Sequence, residues 1–153
     1  MIQFPYQHEP LAGPPPPSLS PQLVRWRPLI PVTIIVNSSQ RFFPRALLDP
    51  GADDTVFPLS LAVSMGVALR GSSTHSLRWR GQSHPLRFGD VELELCDGQA
   101  AWRWSAIIGF SSAPIRYPIL GYCGCLRHFD ARFRGEDRII ELETTPSYPG
   151  TRG

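Results

Sequence analysis

Ala46-Leu47-Leu48-Asp49-Pro50-Gly51-Ala52-Asp53-Asp54-Thr55-Val56-Phe57 is the stretch of this 153-residue chain on which the reading of the fold turns. An apolar run ends in an acid, and a glycine follows two places later. A strand that ends this way carries its carboxylate to the floor of a cleft, and a residue without Cβ lets a second backbone come close. Asp-Pro-Gly by itself is an ordinary turn sequence. A buried strand that ends in an acid ahead of a glycine turn is also a geometry that suits paired carboxylates. Two carboxyl groups about 3 Å apart cannot both ionise, so they share one proton: the ionised member activates water while the protonated one polarises a carbonyl. One chain supplies one Asp of this kind.

Upstream, Leu29-Ile30-Pro31-Val32-Thr33-Ile34-Ile35-Val36 is rich in β-branched residues, Asn37-Ser38-Ser39 gives a turn, and Arg41 to Leu48 runs back apolar. This predicts a hairpin whose second strand delivers Asp49. Downstream, a short helix is expected over 58–65, because proline is tolerated in a first turn and Gly66 is a natural stop. Further strands are expected over 76–80, 85–88, 91–96 and 101–108, with Asp97-Gly98 as a tight turn between the last two. Val91-Glu92-Leu93-Glu94-Leu95 alternates strictly, so one face should be buried. A second short helix over 121–129 and a last strand over 138–142 complete an all-β expectation with one or two small helices.

Size and composition fit one domain with a modest core: 42% hydrophobic and 18% charged residues, with 17 prolines. Residues 22–145 are expected to form it. Residues 1–21, which contain Gly13-Pro14-Pro15-Pro16-Pro17, are expected to be a flexible tail, since proline lacks the N–H a sheet needs. Residues 146–153 are expected to be a second one. No apolar run approaches the ~20 residues that span a membrane, and the N-terminus does not read as a secretory signal. Cys96, Cys123 and Cys125 are an odd number without a disulfide-framework spacing, which suits a reducing compartment. The expected location is cytoplasmic, with no membrane partner.

Other chemistries find less support. All fifteen basic residues are Arg, but a net charge of +2 is too small to imply nucleic-acid binding. Arg78-Trp79-Arg80 and Trp102-Arg103-Trp104 read as alternating strand residues, and no nucleic-acid partner is expected. Cys123-Gly124-Cys125 with His128 has one residue between its thiols, whereas structural zinc sites usually have two or more, so no metal is expected. No Gly-x-Ser-x-Gly elbow accompanies His8, His75 or His84.

The stretch LLDPGADDTVF resembles the active-site segment of retroviral proteases and their bacterial relatives, in which an apolar pair precedes Asp-Thr-Gly-Ala or Asp-Ser-Gly-Ala and Asp-Asp-Thr-Val follows. A second signature of that family, two apolar residues and a glycine packed beneath the active-site loop ahead of a short helix, is matched by Ile119-Leu120-Gly121. The resemblance covers about Leu29 to Leu142. It implies a closed, acid-protease (retropepsin-like) barrel that is active as a homodimer on a peptide or protein substrate, without a cofactor. Asp49 from each copy would form the catalytic dyad. Gly51 would accept a hydrogen bond from the peptide, Ala52 would line the groove, Asp53 would bond the peptide main chain and Asp54 would touch side chains. A flap hairpin would lie between about Ser72 and Pro85, with Gly71 and Gly81 as hinge or tip and Trp79 as its aromatic residue.

Two positions depart from the family pattern. Pro50 stands where the family has Thr or Ser, whose hydroxyl and N–H bond across the dimer axis; proline has neither donor, although it fixes φ near −65° and biases Asp49 toward an extended backbone. The alternative reading is therefore a retropepsin-fold module that binds peptides or dimerises with its catalysis impaired by Pro50. Tyr122 replaces the Arg that pairs with the carboxylate at Asp53, which leaves Arg127, Arg25 or Arg27 as candidate partners, or else Asp53 solvated.

Overall fold

Strands hold 54% of the residues against 7% in helix, which makes this a mostly-β class. The computed structural model describes residues 1–71 and 74–153. In chain order the strands are β1 (Ile2–Pro5), β2 (Gln7–Pro10), β3 (Val24–Arg27), β4 (Leu29–Val36), β5 (Ser39–Leu48), β6 (Val56–Pro58), β7 (Ser76–Trp79), β8 (Gln82–Pro85), β9 (Arg87–Cys96), β10 (Ala101–Ser111), β11 (Ile119–Leu120), β12 (Phe129–Arg134), β13 (Ile139–Thr144) and β14 (Thr151–Arg152). One α-helix, α1 (Leu59–Met65), follows β6, and a 3-10 turn at Leu126–His128 leads into β12.

Six strands close on themselves in the order β10, β6, β11, β5, β4 and β9, with β9 pairing back onto β10. Closure leaves this ring without a free edge, which removes the backbone groups that would otherwise seek another chain. Its interior is filled by Ile30, Ile34, Leu48, Phe57, Leu93, Leu95, Trp104, Ile108 and Phe110, each at most 2% exposed. Burying side chains of this size stabilises a fold by roughly 1.5 to 3 kcal/mol each.

The hairpin that delivers Asp49 forms as the sequence predicts, β4 against β5 from Val36↔Ser39 to Leu29↔Leu47, with a bulge between Ile30 and Val32. Asn37 turns the chain at φ 55°, a backbone region Asn tolerates. Helix α1 begins after Pro58 and ends at Gly66, whose φ of 68° puts it in the left-handed cap. The alternation in β9 holds, Val91, Leu93 and Leu95 facing the core. The strand is longer than expected because Gly89 lies inside it; a Cβ there would stand 2.5 Å from Val67 Cγ1, so the glycine marks a close approach and not a break.

Three expectations are corrected. Residues 1–21 are not a loose tail throughout: β1 pairs antiparallel with β13, Ile2↔Leu142 to Pro5↔Ile139, and Ile2 and Phe4 are buried with Ile140 and Leu142. Alternation of Ile2 and Phe4 with polar Gln3 and with Pro5 buries one face of that strand against the core. Residues 146–153 are held too. Thr151–Arg152 pairs with β10, and the Tyr148 hydroxyl shares its one proton between the carbonyls of Arg103 and Thr151 while its ring packs on Trp102, Trp104 and Phe129. The second helix expected over 121–129 is reduced to the 3-10 turn at Leu126–His128, because the carbonyl of Cys123 is taken by Thr55 and Gly124 turns at φ 86°.

Strands β2 and β3 form a separate hairpin that is locked by a buried acid. Glu9 is 5% exposed, and its two oxygens meet Arg27 at 3.2 Å, Arg116 at 3.4 Å and the Tyr117 hydroxyl in a short hydrogen bond. Burial pushes the Glu9 carboxyl up, but these three partners together hold it below its ordinary value. A carboxyl with a lowered folded-state pKa stabilises above its unfolded value and loses that contribution as the pH falls through the folded value. Glu9→Gln is therefore expected to lower unfolding stability at neutral pH by roughly 1 to 3 kcal/mol. The gap to the unsubstituted protein should close in acid below about 4.5, the ordinary carboxyl value, as read from denaturant titrations across that range; a gap independent of pH would contradict this account.

Candidate active site

Asp49 lies one residue past β5, and local hydrogen bonds hold its loop from both sides. Its N–H donates to the Leu120 carbonyl at 3.1 Å, its carbonyl accepts from Ala52 N–H at 3.1 Å, and its Oδ1 accepts from Gly51 N–H at 3.0 Å. The last contact is an Asx turn, the local bond an Asp side chain readily makes with backbone two residues on. Pro50 and Gly51 are exposed while Asp49 is half-buried. The carboxylate is thus partly open to solvent, with one oxygen committed to its own loop.

The distant Ile119-Leu120-Gly121 is what clasps this loop. Strand β11 runs parallel to β5, Ile119↔Leu47 and Leu120↔Leu48, and pairs on its other side with β6 through Ile119↔Val56. Tyr122 N–H then donates to Ala52 O at 2.9 Å and Cys123 N–H to Asp53 O at 2.8 Å. Thr55 is fully buried between the two segments, its hydroxyl donating to Cys123 O at 2.8 Å and accepting from Gly121 N–H at 3.2 Å. Every polar atom of that hydroxyl is used, as burial requires. Gly121 lies so close that a Cβ would stand 2.2 Å from Asp54 O.

The loop floors an open cleft of about 1130 Å³. All six residues singled out from the sequence line it: Asp49, Gly51, Ala52, Asp53, Asp54 and, from the opposite wall, Trp79. That wall is the hairpin β7–β8, paired from Ser76↔Pro85 to Trp79↔Gln82. Arg80 (φ 51°) and Gly81 (φ 78°) form its tip, the geometry of the two-residue turns that hairpins favour. Ser72 and Ser73, where the flap was expected to begin, lie outside the described residues. Leu77 packs against Val56, Leu86 and Ile119, which joins the base of the hairpin to the strands carrying the Asp49 loop.

Residues that sequence reading missed complete the lining, among them Arg70, His75, Leu77 and Ile107. They come from separate segments, and no local pattern links them to the Asp49 motif. Burial raises the Asp54 carboxyl; nearby His75 pulls it down and the Asp53 charge pushes it up, leaving it above the usual carboxylate value. Among the described residues Asp53 makes no ion pair: Arg27, one of its expected partners, is engaged by Glu9, and Asp53 is exposed to water. Tyr122, 57% exposed, stands beside the loop. Cys125 is buried, which pushes its thiol up to about 12, whereas Cys96 is exposed at the far end of β9. Trp102 and Trp104 are core residues, and Arg103 between them pairs with Glu94 at 2.9 Å. Among the described residues no helix is long and apolar enough to cross a membrane. Compared with models of known families and with curated protein sequences, the chain matches none.

Proposed function

We propose that this chain is one subunit of a retropepsin-like aspartic endopeptidase, working as a homodimer in which Asp49 of each copy forms the dyad that activates water against a peptide bond. The observation that carries the reading is the clasped loop: a half-buried Asp49 held between Leu120 and Gly51, at the floor of a cleft whose far wall is a hairpin. Exposure of Pro50, Gly51 and Tyr122 leaves that side of the loop open to the approach of a second copy. In the dimer one carboxyl keeps the shared proton and polarises the scissile carbonyl, while its ionised mate draws a proton from water. Gly51 and Asp53 offer the peptide main chain an acceptor each, and Ala52, Asp54 and Trp79 line the side-chain space. No metal or organic cofactor takes part in this reading.

Pro50 supports a second reading, a peptide-binding or dimerising module. It supplies no hydroxyl and no N–H to a loop facing it, and each polar group left unmatched in a dry contact costs about 1 to 3 kcal/mol. A diverse peptide library offered to the purified protein between about pH 3 and 7 separates the two. The expected result is cleavage within extended, apolar stretches, favoured in acid as a shared-proton dyad requires, with Pro50→Thr increasing the rate roughly tenfold through a tighter dimer. Cleavage by Pro50→Thr alone would assign the natural chain to the module, and an intact library with both proteins would end the protease reading.

A further inference from the structure

The N–H groups at the end of β5 are shared between two segments of chain. Leu47 N–H donates to Pro118 O at 2.8 Å and Asp49 N–H to Leu120 O at 3.1 Å, while Leu48 N–H between them donates to Pro28 O at 3.0 Å. Successive N–H groups of a strand point to opposite sides, so this end stays in place only while both flanking segments do. One segment is the passage from β3 into β4, and the other is the approach to β11 and that strand itself.

A single side chain ties the two together. Glu9 Oε1 meets Arg27, the residue before Pro28, at 3.2 Å. Glu9 Oε2 meets Arg116 at 3.4 Å and accepts from the hydroxyl of Tyr117, the residue before Pro118. The carboxylate is buried, and a buried charge that loses a partner is costly, so neither segment can swing outward without stranding it. The residues before Glu9 fasten the same strand to β5. Arg45 donates from Nε to Gln7 Oε1 and from Nη2 to the His8 carbonyl, each at 3.0 Å, and Gln7 Nε2 donates to the carbonyls of Leu29 and Pro44. Among the described residues, Glu9 and its three partners stand outside the cleft lining, so their effect on Asp49 passes through the backbone.

We propose that Glu9 is a positioning residue for Asp49: by tying the segment that holds Pro28 to the one that holds Pro118, it fixes the backbone from which the Asp49 carboxyl projects. The inference rests on Asp49 being the reactive group, as proposed above, and adds that the β2–β3 hairpin controls where it stands. Each copy of the dimer carries its own tie, so both Asp49 side chains are held alike. Distant contacts of this kind matter to a rate, because a reacting group misplaced by about 1 Å can lower it roughly 100-fold.

The test compares Glu9→Gln and the milder Tyr117→Phe, which keeps the ring and decides alone if Glu9→Gln does not fold, with Ile140→Val. The last thins the core at β13, far from the tie, and lowers stability without touching it. Amide exchange followed by NMR at about pH 6, where a carboxyl of this kind is ionised, is expected to quicken roughly tenfold at Leu47, Leu48 and Asp49 in the first two variants, the yield of one lost buried partner. Ile140→Val should leave those three amides as they are. With a cleaved peptide, kcat is expected to fall roughly 10- to 100-fold in Glu9→Gln with KM within about twofold, and Ile140→Val to keep both. A merely structural Glu9 would make the variants alike. Unchanged exchange at the three amides, an equal rise in Ile140→Val, or an unchanged kcat in both tie variants would overturn the inference while leaving the protease reading intact. If the natural chain cleaves no peptide, the protease reading falls and the exchange comparison decides the tie alone: a rise confined to the tie variants upholds it, and no rise or a shared one refutes it.

Discussion

Asp49→Asn is expected to abolish peptide hydrolysis while leaving the fold in place. In the proposed dimer the substitution removes both members of the dyad, so no group remains to hold the shared proton or to take one from water. General acid–base catalysis by a positioned side chain contributes about 10² to 10⁴-fold, and losing both roles at once should reduce kcat by at least roughly 10³-fold. The structural contacts of Asp49 are spared. Its N–H to Leu120 O and its carbonyl to Ala52 N–H are main-chain bonds, and the side-chain oxygen that accepts from Gly51 N–H has a counterpart in Asn. Thermal melts of the two proteins should therefore superimpose within a degree or two. Residual cleavage above a few per cent, with an unchanged melt, would remove Asp49 from the chemistry.

Gly121→Ala is expected to cost more stability than any other single methyl added to this chain's site. A Cβ at Gly121 would stand 2.2 Å from Asp54 O, 2.7 Å from Asp54 C and 2.8 Å from Ala52 O. These are backbone atoms of the loop that holds Asp49, and they cannot rotate away as the end of a side chain could. Relief requires β11 to part from the loop, at the expense of the bonds from Gly121 N–H to Thr55 and from Tyr122 N–H to Ala52. Overpacking of this kind costs roughly 3 kcal/mol or more, which for a chain of this size lowers Tm by roughly 6 to 12 °C. Gly135→Ala serves as the control, since a Cβ there meets nothing within 4 Å; it should change Tm little. Equal melts for the two variants would show that the clasp is looser than these distances imply.

How far the sequence exposes the fold depends on the range over which each signal acts. The β4–β5 hairpin, α1 with Gly66 as its stop, and the Asp97-Gly98 turn are written locally, in branched runs and turn residues, and they stand where they were expected. Strand β12 was missed because Asp130-Ala131-Arg132-Phe133-Arg134 lies at a sheet edge and is exposed almost throughout, so no alternation marks it. Strands β1 and β2 are hidden by prolines at positions 5 and 10, which suit strand ends as well as tails. The site divides in the same way. Asp49, Gly51, Ala52, Asp53 and Asp54 are neighbours in sequence and could be read together, whereas Arg70, His75 and Ile107 reach the cleft only through long-range pairing that no local pattern announces.

The pairing of β1 with β13 also governs when this protein can finish folding. Ile2 finds its register against Leu142, and Pro5 against Ile139, so β1 is completed only by the distant β13. A fold with contacts of such wide sequence separation bears a large loop-closure entropy before that contact forms, and it folds slowly compared with proteins built from local pairs. On the ribosome, Ile2 and Phe4 wait uncovered until Leu142 has emerged, long after the Asp49 hairpin has its own partners. Nascent-chain stalling at successive lengths should therefore show protease protection of Ile2 to Pro5 arriving only after Leu142 has emerged.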